Sequence, residues 1–162
     1  MPRAKKSWRE KLADDNDLPK FFDSESNSMT AKWGSGRVVI PRPRDVDALM
    51  EKVPKGKLTT INELRAGLAE QHDAEFTCQI TAGIFAWIAA NAANEAQAEG
   101  RKRVTPFWRT LKKGGEVNPK YPGGLEAQRQ LLEAEGHEVY QKGKRLLVRD
   151  YEKKLCRPSA EI

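Results

Sequence analysis

The sequence predicts a mainly helical α+β fold, and three observations lead to that class. Apolar residues recur at helical spacing in three consecutive segments, at 45–53, 60–71 and 77–98. A further helix is predicted to begin near Leu125 and to end at Gly136. Two strand-like segments, 138–140 and 145–148, flank a glycine-containing turn and are predicted to form a C-terminal β-hairpin. With 162 residues, the chain suits one domain with tails better than two domains.

The N-terminal part of the chain is rich in charged and small polar residues and is predicted to form an arm. Ser7 can cap a short helix that runs through Leu12, and residues 37–40 are predicted to form a short strand. The scattered aromatic residues of the arm can pin it onto the rest of the chain: Trp8, Phe21, Phe22 and Trp33. The predicted divisions are a partly ordered arm, a domain and a C-terminal tail, at residues 1–44, 45–150 and 151–162.

The middle of the chain contains a helix-turn-helix candidate. A helix at 45–53 is broken by the turn at 54–56, and the helix-turn-helix follows it. Thr59 or Thr60 can cap the next helix, with Glu63 completing a capping-box pattern beyond Thr60, and residues 71–75 form a polar turn. Thr77 is predicted to cap the third helix. One face of this helix is apolar: Ile80, Ile84, Trp87 and Ile88. The helix has no lysine or arginine and much alanine, which is more typical of a core helix than of a DNA-reading helix. The hairpin that follows can form a wing.

Positive charge is concentrated in the segment 101–120. The net charge is +6, and this segment holds seven cations against Glu116 alone: Arg101, Lys102, Arg103, Arg109, Lys112, Lys113 and Lys120. A second basic stretch covers 142–157, whereas 61–100 is net acidic with Arg65 as its only cation. Such asymmetry favours a polyanionic partner that faces one side of the molecule. The alternative left open is a lysine-rich loop that keeps the protein soluble.

The sequence contains no pattern typical of a metal site, a phosphate-binding loop or a catalytic nucleophile. His72 and His137 are isolated, and Cys78 and Cys156 lie at no ligand spacing, so we expect no metal and no cofactor. Two cysteines fit a reducing cytoplasm better than a disulfide framework. No apolar run approaches a membrane span and no signal-peptide core follows the N-terminus. We therefore expect a soluble, cytoplasmic protein with no membrane partner.

Three motifs follow one another in order along the chain. They are VPKGKLTT at 53–60, PFWR at 106–109, and YPGGL at 121–125 followed by LLEAEGH at 131–137. In this order they resemble the DNA-binding domain of the alkylguanine-DNA alkyltransferases, the methylated-DNA–protein-cysteine methyltransferases, and of their alkyltransferase-like relatives. The resemblance covers slightly more than half of the chain. It implies a winged helix-turn-helix domain of the alkyltransferase-like type.

The resemblance also identifies what the PFWR motif lacks. In that family a Pro-Cys-His-Arg motif carries the cysteine that accepts an alkyl group from damaged guanine, and the histidine passes a proton through water to a glutamate. Pro106 and Arg109 match this motif, and Glu135 stands where the glutamate belongs. The cysteine position is Phe107 and the histidine position is Trp108. A phenyl ring has no lone pair, and an indole is no base near neutral pH, so we predict that the protein is not an enzyme.

Loss of the cysteine defines the alkyltransferase-like class, whose members bind a flipped alkylguanine without repairing it and flag it for repair proteins. The resemblance therefore implies a base pocket formed by Pro106, Phe107, Trp108, Arg109, Tyr121, Gly123 and Glu135. Such a pocket has to stack on the base to offset the free energy of unstacking it. The alternative left open is that Phe107 and Trp108 fill the former cavity as core aromatics.

The resemblance further implies a set of DNA contacts around the third helix. The family inserts an arginine from the start of this helix and turns the target phosphate with a tyrosine, and these positions are Gln79 and Ile61 here. Small residues would let the helix backbone approach the minor groove, while flanking groups would contact phosphates. The predicted contacts are Lys55, Lys57, Thr60, Ile61, Thr77, Gln79, Thr81, Ala82, Gly83, Lys112 and Lys113.

Three functional hypotheses remain. The leading one is a catalytically inactive, alkyltransferase-like monomer that binds double-stranded DNA, senses alkylated guanine, flags it to DNA repair proteins and associates with the nucleoid when bound. The alternative is a protein-interaction or regulatory module on the same scaffold that has lost lesion recognition, as Gln79 and Ile61 suggest. The third is an enzyme in which Cys78 or Cys156 is a new alkyl acceptor, although a lone cysteine is far more often structural.

Overall fold

The computed structural model describes residues 6–26 and 34–158 and has the predicted mainly helical α+β fold. The helices within these residues are α1 (Trp8–Ala13), α2 (Pro43–Glu51), α3 (Ile61–Gln71), α4 (Gln79–Ala98) and α5 (Gly124–Ala134). The strands are β1 (Lys20–Asp23), β2 (Arg37–Ile40), β3 (Thr59–Thr60), β4 (Phe76–Thr77), β5 (Thr110–Leu111), β6 (Val139–Lys142) and β7 (Arg145–Val148). Single 3₁₀ turns lie at Ser24–Ser26, Phe107–Arg109, Lys113–Gly115 and Tyr151–Lys154.

The described strands form three small sheets. β2 lies between β1 and β4, antiparallel to β1 and parallel to β4. β3 pairs in parallel with β5, so that Thr59 lies opposite Thr110 and the start of α3 is joined to the segment that follows the PFWR motif. β6 and β7 form an antiparallel hairpin, which confirms the predicted one. Its two-residue loop begins with Gly143 at φ 64, a conformation that glycine adopts without strain.

Helix α4 lies at the centre of the larger hydrophobic core. Its buried face consists of alanines: Ala82, Ala86, Ala89, Ala90 and Ala93. The apolar side chains that pack with them come from α2 and α3: Val46, Leu49, Met50, Leu64 and Leu68. Because alanine is small, it lets neighbouring helices approach closely. The absence of cations from α4 thus accompanies a central position in which one face of the helix is buried.

A second, smaller core lies between the β3–β5 pair, α5 and the hairpin. Its buried members are Leu58, Leu111, Val117, Leu132, Val139, Leu146 and Val148. Trp108 is half-buried and packs against both cores. The PFWR segment therefore lies where the two cores meet.

The structure confirms two predicted helix caps and corrects two helix starts. The hydroxyls of Ser7 and Thr60 accept hydrogen bonds from the first turns of α1 and α3. α2 begins at Pro43, two residues earlier than predicted, because proline suits the first helical position. Thr77 does not cap α4: it lies in β4, and its hydroxyl donates a 2.6 Å hydrogen bond to the Arg65 carbonyl oxygen. Cys78 holds the cap position instead.

The N-terminal segment packs onto the rest of the protein. The Trp8 ring meets the Trp87 ring edge-on, with 4.7 Å between their centroids. The backbone N–H groups of Trp8 and Arg9 donate to the Glu95 carboxylate on α4. Phe21 lies on β1 beneath the Arg37 guanidinium, whereas Trp33 lies outside the described residues. The division of the chain at residues 44 and 150 stays a prediction.

Both cysteines are free thiols and half-buried. Burial raises the pKa of the Cys156 thiol, which lowers the fraction of reactive thiolate. Among residues 6–26 and 34–158, no helix is long and apolar enough to cross a membrane. The same residues contain no group of three or more His, Cys, Asp or Glu side chains placed to hold a metal ion.

Candidate nucleic-acid interface

The predicted DNA contacts fall into three groups by exposure. The exposed ones are Lys55, Lys57, Gln79, Lys112 and Lys113, and the half-buried ones are Ile61, Thr81 and Gly83. Thr60, Thr77 and Ala82 are buried. The Thr60 hydroxyl caps α3, and Ile61 packs against the larger core. Thr60, Thr77 and Ala82 therefore offer little side-chain surface to a ligand, and the interface as a whole stays a prediction.

An open groove lies between the first half of α4 and the loop that follows the PFWR motif. Its volume is about 470 Å³. The helix contributes Ile80, Gly83, Ile84 and Trp87, and the facing loop contributes Lys112, Asn118, Pro119 and Lys120. Gly83 has open space where a side chain would lie. Of the predicted contacts, the structure thus brings Gly83 and Lys112 to one groove.

The helix side of this groove is an exposed apolar stripe. Ile80 is 54% exposed, Ile84 45% and Trp87 37%. Sequence periodicity identified these residues as one face of α4 but could not tell whether that face points inward. The signal that distinguishes the two faces is the second periodicity, of alanine, at 82, 86, 89, 90 and 93. Because the alanine face is buried, the isoleucine face is left at the surface.

The basic segment is divided between the two ends of α4. Lys112 and Lys120 line the groove beside Ile80 and Ile84. Lys102 and Arg103, in contrast, line a separate cleft that includes Gln97 near the last turn of the helix. With a rise of about 1.5 Å per residue, Ile80 and Gln97 lie about 25 Å apart along α4. The cations that were adjacent in sequence therefore form two basic surfaces.

The predicted base pocket is divided as well. Phe107 is 4% exposed and Tyr121 3% exposed, and both belong to the larger core. The Phe107 ring meets the rings of Trp108 and Tyr121 edge-on, with centroids 5.4 and 5.9 Å away. Burial raises the pKa of Tyr121. Gly123, by contrast, is exposed just before α5. The burial of Phe107 and its ring contacts therefore favour the alternative interpretation, in which Phe107 fills the former cavity as a core aromatic residue.

Trp108, Arg109 and Glu135 form a partly buried hydrogen-bonded group. The Trp108 Nε1–H donates to Glu135 Oε2 at 2.9 Å, and Arg109 donates to both carboxylate oxygens through Nε and Nη2. Arg109 Nη1 also donates to the Val53 carbonyl oxygen at 2.8 Å. Burial acts to raise the Glu135 pKa, but the hydrogen bonds from Arg109 and Trp108 outweigh it and the pKa is lowered. Glu135 is thus held as a carboxylate and has no free edge aimed at a base.

No protein-family model matches the chain, and no curated protein matches it. Among solved structures, the chain is similar to Atl1 of S. pombe, which was crystallised in complex with damaged DNA containing O6-carboxymethylguanine. The match has 18% sequence identity and a TM-score of 0.49, and it covers 72% of this chain and 94% of Atl1.

Proposed function

We propose that this protein is a non-catalytic protein that binds double-stranded DNA through the groove between α4 and the 112–120 loop. The observation that carries the proposal is the apolar stripe of Ile80, Ile84 and Trp87 beside Lys112 and Lys120. Proteins that bind the minor groove combine apolar side chains with cations that neutralise phosphates. Lys120 forms no ion pair within the described residues, and Lys112 has only the partly exposed Glu116 at 3.4 Å.

The absence of catalysis is part of the same proposal. Phe107 provides no nucleophile, and its burial separates it from solvent and from any ligand in the groove. Trp108 donates its only N–H to Glu135, so it neither accepts a proton nor is free to transfer one. These two observations support the absence of alkyl transfer at the PFWR motif.

A more specific proposal is that the protein recognises alkylated guanine in DNA. In this form the protein binds duplexes that carry the lesion and flags them to repair proteins. The packing of Phe107 against Tyr121 counts against a preformed pocket, because an extruded base would have to displace a core ring. Lesion recognition is therefore tested separately from DNA binding.

The test is a titration of fluorescent duplexes with and without one O6-alkylated guanine, at about 50 and about 200 mM salt. We expect binding that weakens steeply with salt. Lys112→Glu with Lys120→Glu should reduce affinity at least about tenfold. The matched control, Lys102→Glu with Arg103→Glu, makes the same charge change at the other end of α4. Absence of binding at low salt would refute the proposal, and equal binding of both duplexes would refute lesion recognition alone.

A second candidate function is supported by the apolar character of the groove. Exposed apolar patches rimmed by polar residues also mark protein-interaction sites. On this account the groove receives a partner protein, and the scaffold serves as an interaction or regulatory module. DNA affinity would then be absent or insensitive to Lys112→Glu with Lys120→Glu.

A further inference from the structure

A second concave surface lies at the far end of α4 from the groove. This cleft has a volume of about 670 Å³ and is formed where the end of α2, the last turn of α4 and the segment before the PFWR motif meet. Its apolar wall consists of Val53, Pro54, Val104 and Pro106, of which Pro54 is exposed and Val104 half-buried. The groove proposed for DNA shares no lining residue with this cleft, whereas Pro106, Trp108 and Arg109 of the predicted base pocket line it.

The floor of the cleft is held in a fixed shape. Trp108 and Arg109 line it, and both are anchored to Glu135. The 2.8 Å hydrogen bond from Arg109 Nη1 to the Val53 carbonyl oxygen ties the floor to the apolar wall. A cleft supported in this way needs little ordering when a ligand binds, and this favours affinity.

One rim of the cleft carries unpaired positive charge. Lys102 and Arg103 are exposed and form no ion pair within residues 6–26 and 34–158. They differ in this from Arg42, Arg109 and Arg145, each of which has a carboxylate partner. Glu51 is the acidic residue in the lining, and it accepts a hydrogen bond from Thr105. The complementary ligand is therefore negatively charged.

The chemistry of the cleft distinguishes between anionic partners. A DNA duplex is too wide to enter a concavity of this size, and a single strand would need an aromatic face on which to stack. The Trp108 ring does not offer one freely, because the Phe107 ring packs edge-on against it and the Arg109 guanidinium lies 5.5 Å from its centroid. Aliphatic walls instead suit an apolar side chain.

We propose that this cleft binds an acidic peptide segment of a partner protein, with one apolar side chain of the segment packed against Pro54 and Val104. Carboxylates of the segment pair with Lys102 and Arg103. The nearest α4 residues of the two surfaces, Trp87 and Gln97, lie about 15 Å apart along the helix, so the peptide and a ligand in the groove bind at the same time. The inference does not depend on DNA binding.

The test measures fluorescence anisotropy of a fluorescein-labelled peptide in which two leucines are flanked by glutamates, at about 50 mM salt. Control probes replace the leucines by serine, or the glutamates by glutamine, and a thymidine oligonucleotide serves as competitor. We expect saturable binding of the acidic leucine peptide and at least about tenfold weaker binding by Lys102→Glu with Arg103→Glu. Lys112→Glu with Lys120→Glu is the matched control and should change affinity less than about twofold.

Three results would overturn the inference. The first is the absence of saturable peptide binding. The second is an equal loss of peptide affinity in both double variants, and the third is displacement of the peptide by the oligonucleotide. Equal loss would mean non-specific attraction to net charge, and displacement would mean a nucleic-acid site. Because each double variant is the control for the other, failure of the peptide site and failure of the DNA groove give different results.

Discussion

The Nε1–H group of Trp108 donates a 2.9 Å hydrogen bond to Oε2 of Glu135. In the alkyltransferase family that the sequence resembles, a histidine at this position passes a proton to the corresponding glutamate through water. Here the contact is direct, and the indole has a proton to donate but no site to accept one. The interaction stabilises the meeting point of the two cores and leaves no proton relay for a nucleophile at residue 107.

Phe107→Cys is expected to remain inactive in alkyl transfer. The new thiol would be buried and would have neither a histidine nor a relay to activate it. Loss of the core ring should also lower the free energy of unfolding by about 2–4 kcal/mol. Intact mass after incubation with an O6-methylguanine duplex measures the first effect, and thermal unfolding the second. A methyl adduct on the variant would show that the site has been misread; Phe107→Leu controls for the loss of the ring.

Glu135→Gln is expected to destabilise the protein by about 2–4 kcal/mol near neutral pH, because it leaves the Arg109 guanidinium buried without its counter-ion. The Glu135 pKa is lowered by folding, so its stabilising contribution is present above the ordinary value of 4.5 and is lost as pH falls through the folded-state pKa. The difference from wild type should therefore shrink in acid. Denaturant titrations across this pH range measure it.

Glu133→Gln is the matched control for that variant. Glu133 pairs with Arg129 on the exposed face of α5, so its loss should change stability by less than about 0.5 kcal/mol. Equal destabilisation by the two substitutions, or a Glu135→Gln effect that persists in acid, would contradict the buried ion pair.

Asp47→Asn is expected to stabilise the protein above about pH 6. Burial raises the pKa of Asp47 to about 6, with the Glu51 charge adding to the shift and the Thr105 hydrogen bond opposing it. Below its ordinary pKa of 3.8, the Asp47 carboxyl is protonated in both the folded and the unfolded protein. The wild type therefore loses stability as pH rises through about 6, where the buried carboxyl has to ionise. The gain for Asn should be about 1–3 kcal/mol at about pH 8 and vanish below about pH 4.

Unfolding midpoints at several pH values measure this gain, and Asp17→Asn is its control. Asp17 is exposed at φ 61, a conformation that asparagine also tolerates. A pH-independent gain in Asp47→Asn, or the same gain in Asp17→Asn, would show that burial of the Asp47 charge is not the cause.

Gly115→Ala is expected to destabilise the protein by about 2–3 kcal/mol more than Gly114→Ala. Both glycines have positive φ, 85 and 81, so the backbone cost is common to the two variants. A Cβ at Gly115 would overlap the Tyr151 ring, whereas a Cβ at Gly114 meets open space. Thermal unfolding compares the pair directly. Equal losses would mean that Tyr151 does not pack against Gly115 in solution.

Ile80→Ser is expected to weaken DNA binding about fivefold or more while changing stability by less than about 0.5 kcal/mol. The side chain is 54% exposed in the groove, so its apolar surface serves a ligand more than the core. Leu131→Ser is the matched control, because Leu131 is an exposed apolar residue on α5. Anisotropy titration and thermal unfolding give the two readouts. An equal loss of affinity in both variants would exclude a specific role for the stripe.

Local chemistry made much of the secondary structure predictable from sequence. The caps at Ser7 and Thr60 need only side chains beside a helix start, and the hairpin needs two strand-forming segments around Gly143. The β3–β5 pair could not be predicted, because two residues carry no periodicity and their partners lie about fifty positions away in the chain. Thr77 was misassigned for a related reason: its hydroxyl bonds to Arg65 on another element.

By itself, the sequence determined the mainly helical α+β class, since that follows from residue identity and local spacing. Its resemblance to the alkyltransferases implies that Phe107 stands where those proteins carry a nucleophile. Tertiary structure decided which face of α4 is buried, because Ala86 and its neighbours meet α2 while Ile80 is left in the groove. It also separated Lys102 from Lys112 and enclosed Phe107 in the core. Burial and proximity depend on residues distant in the chain, and a one-dimensional pattern does not contain them.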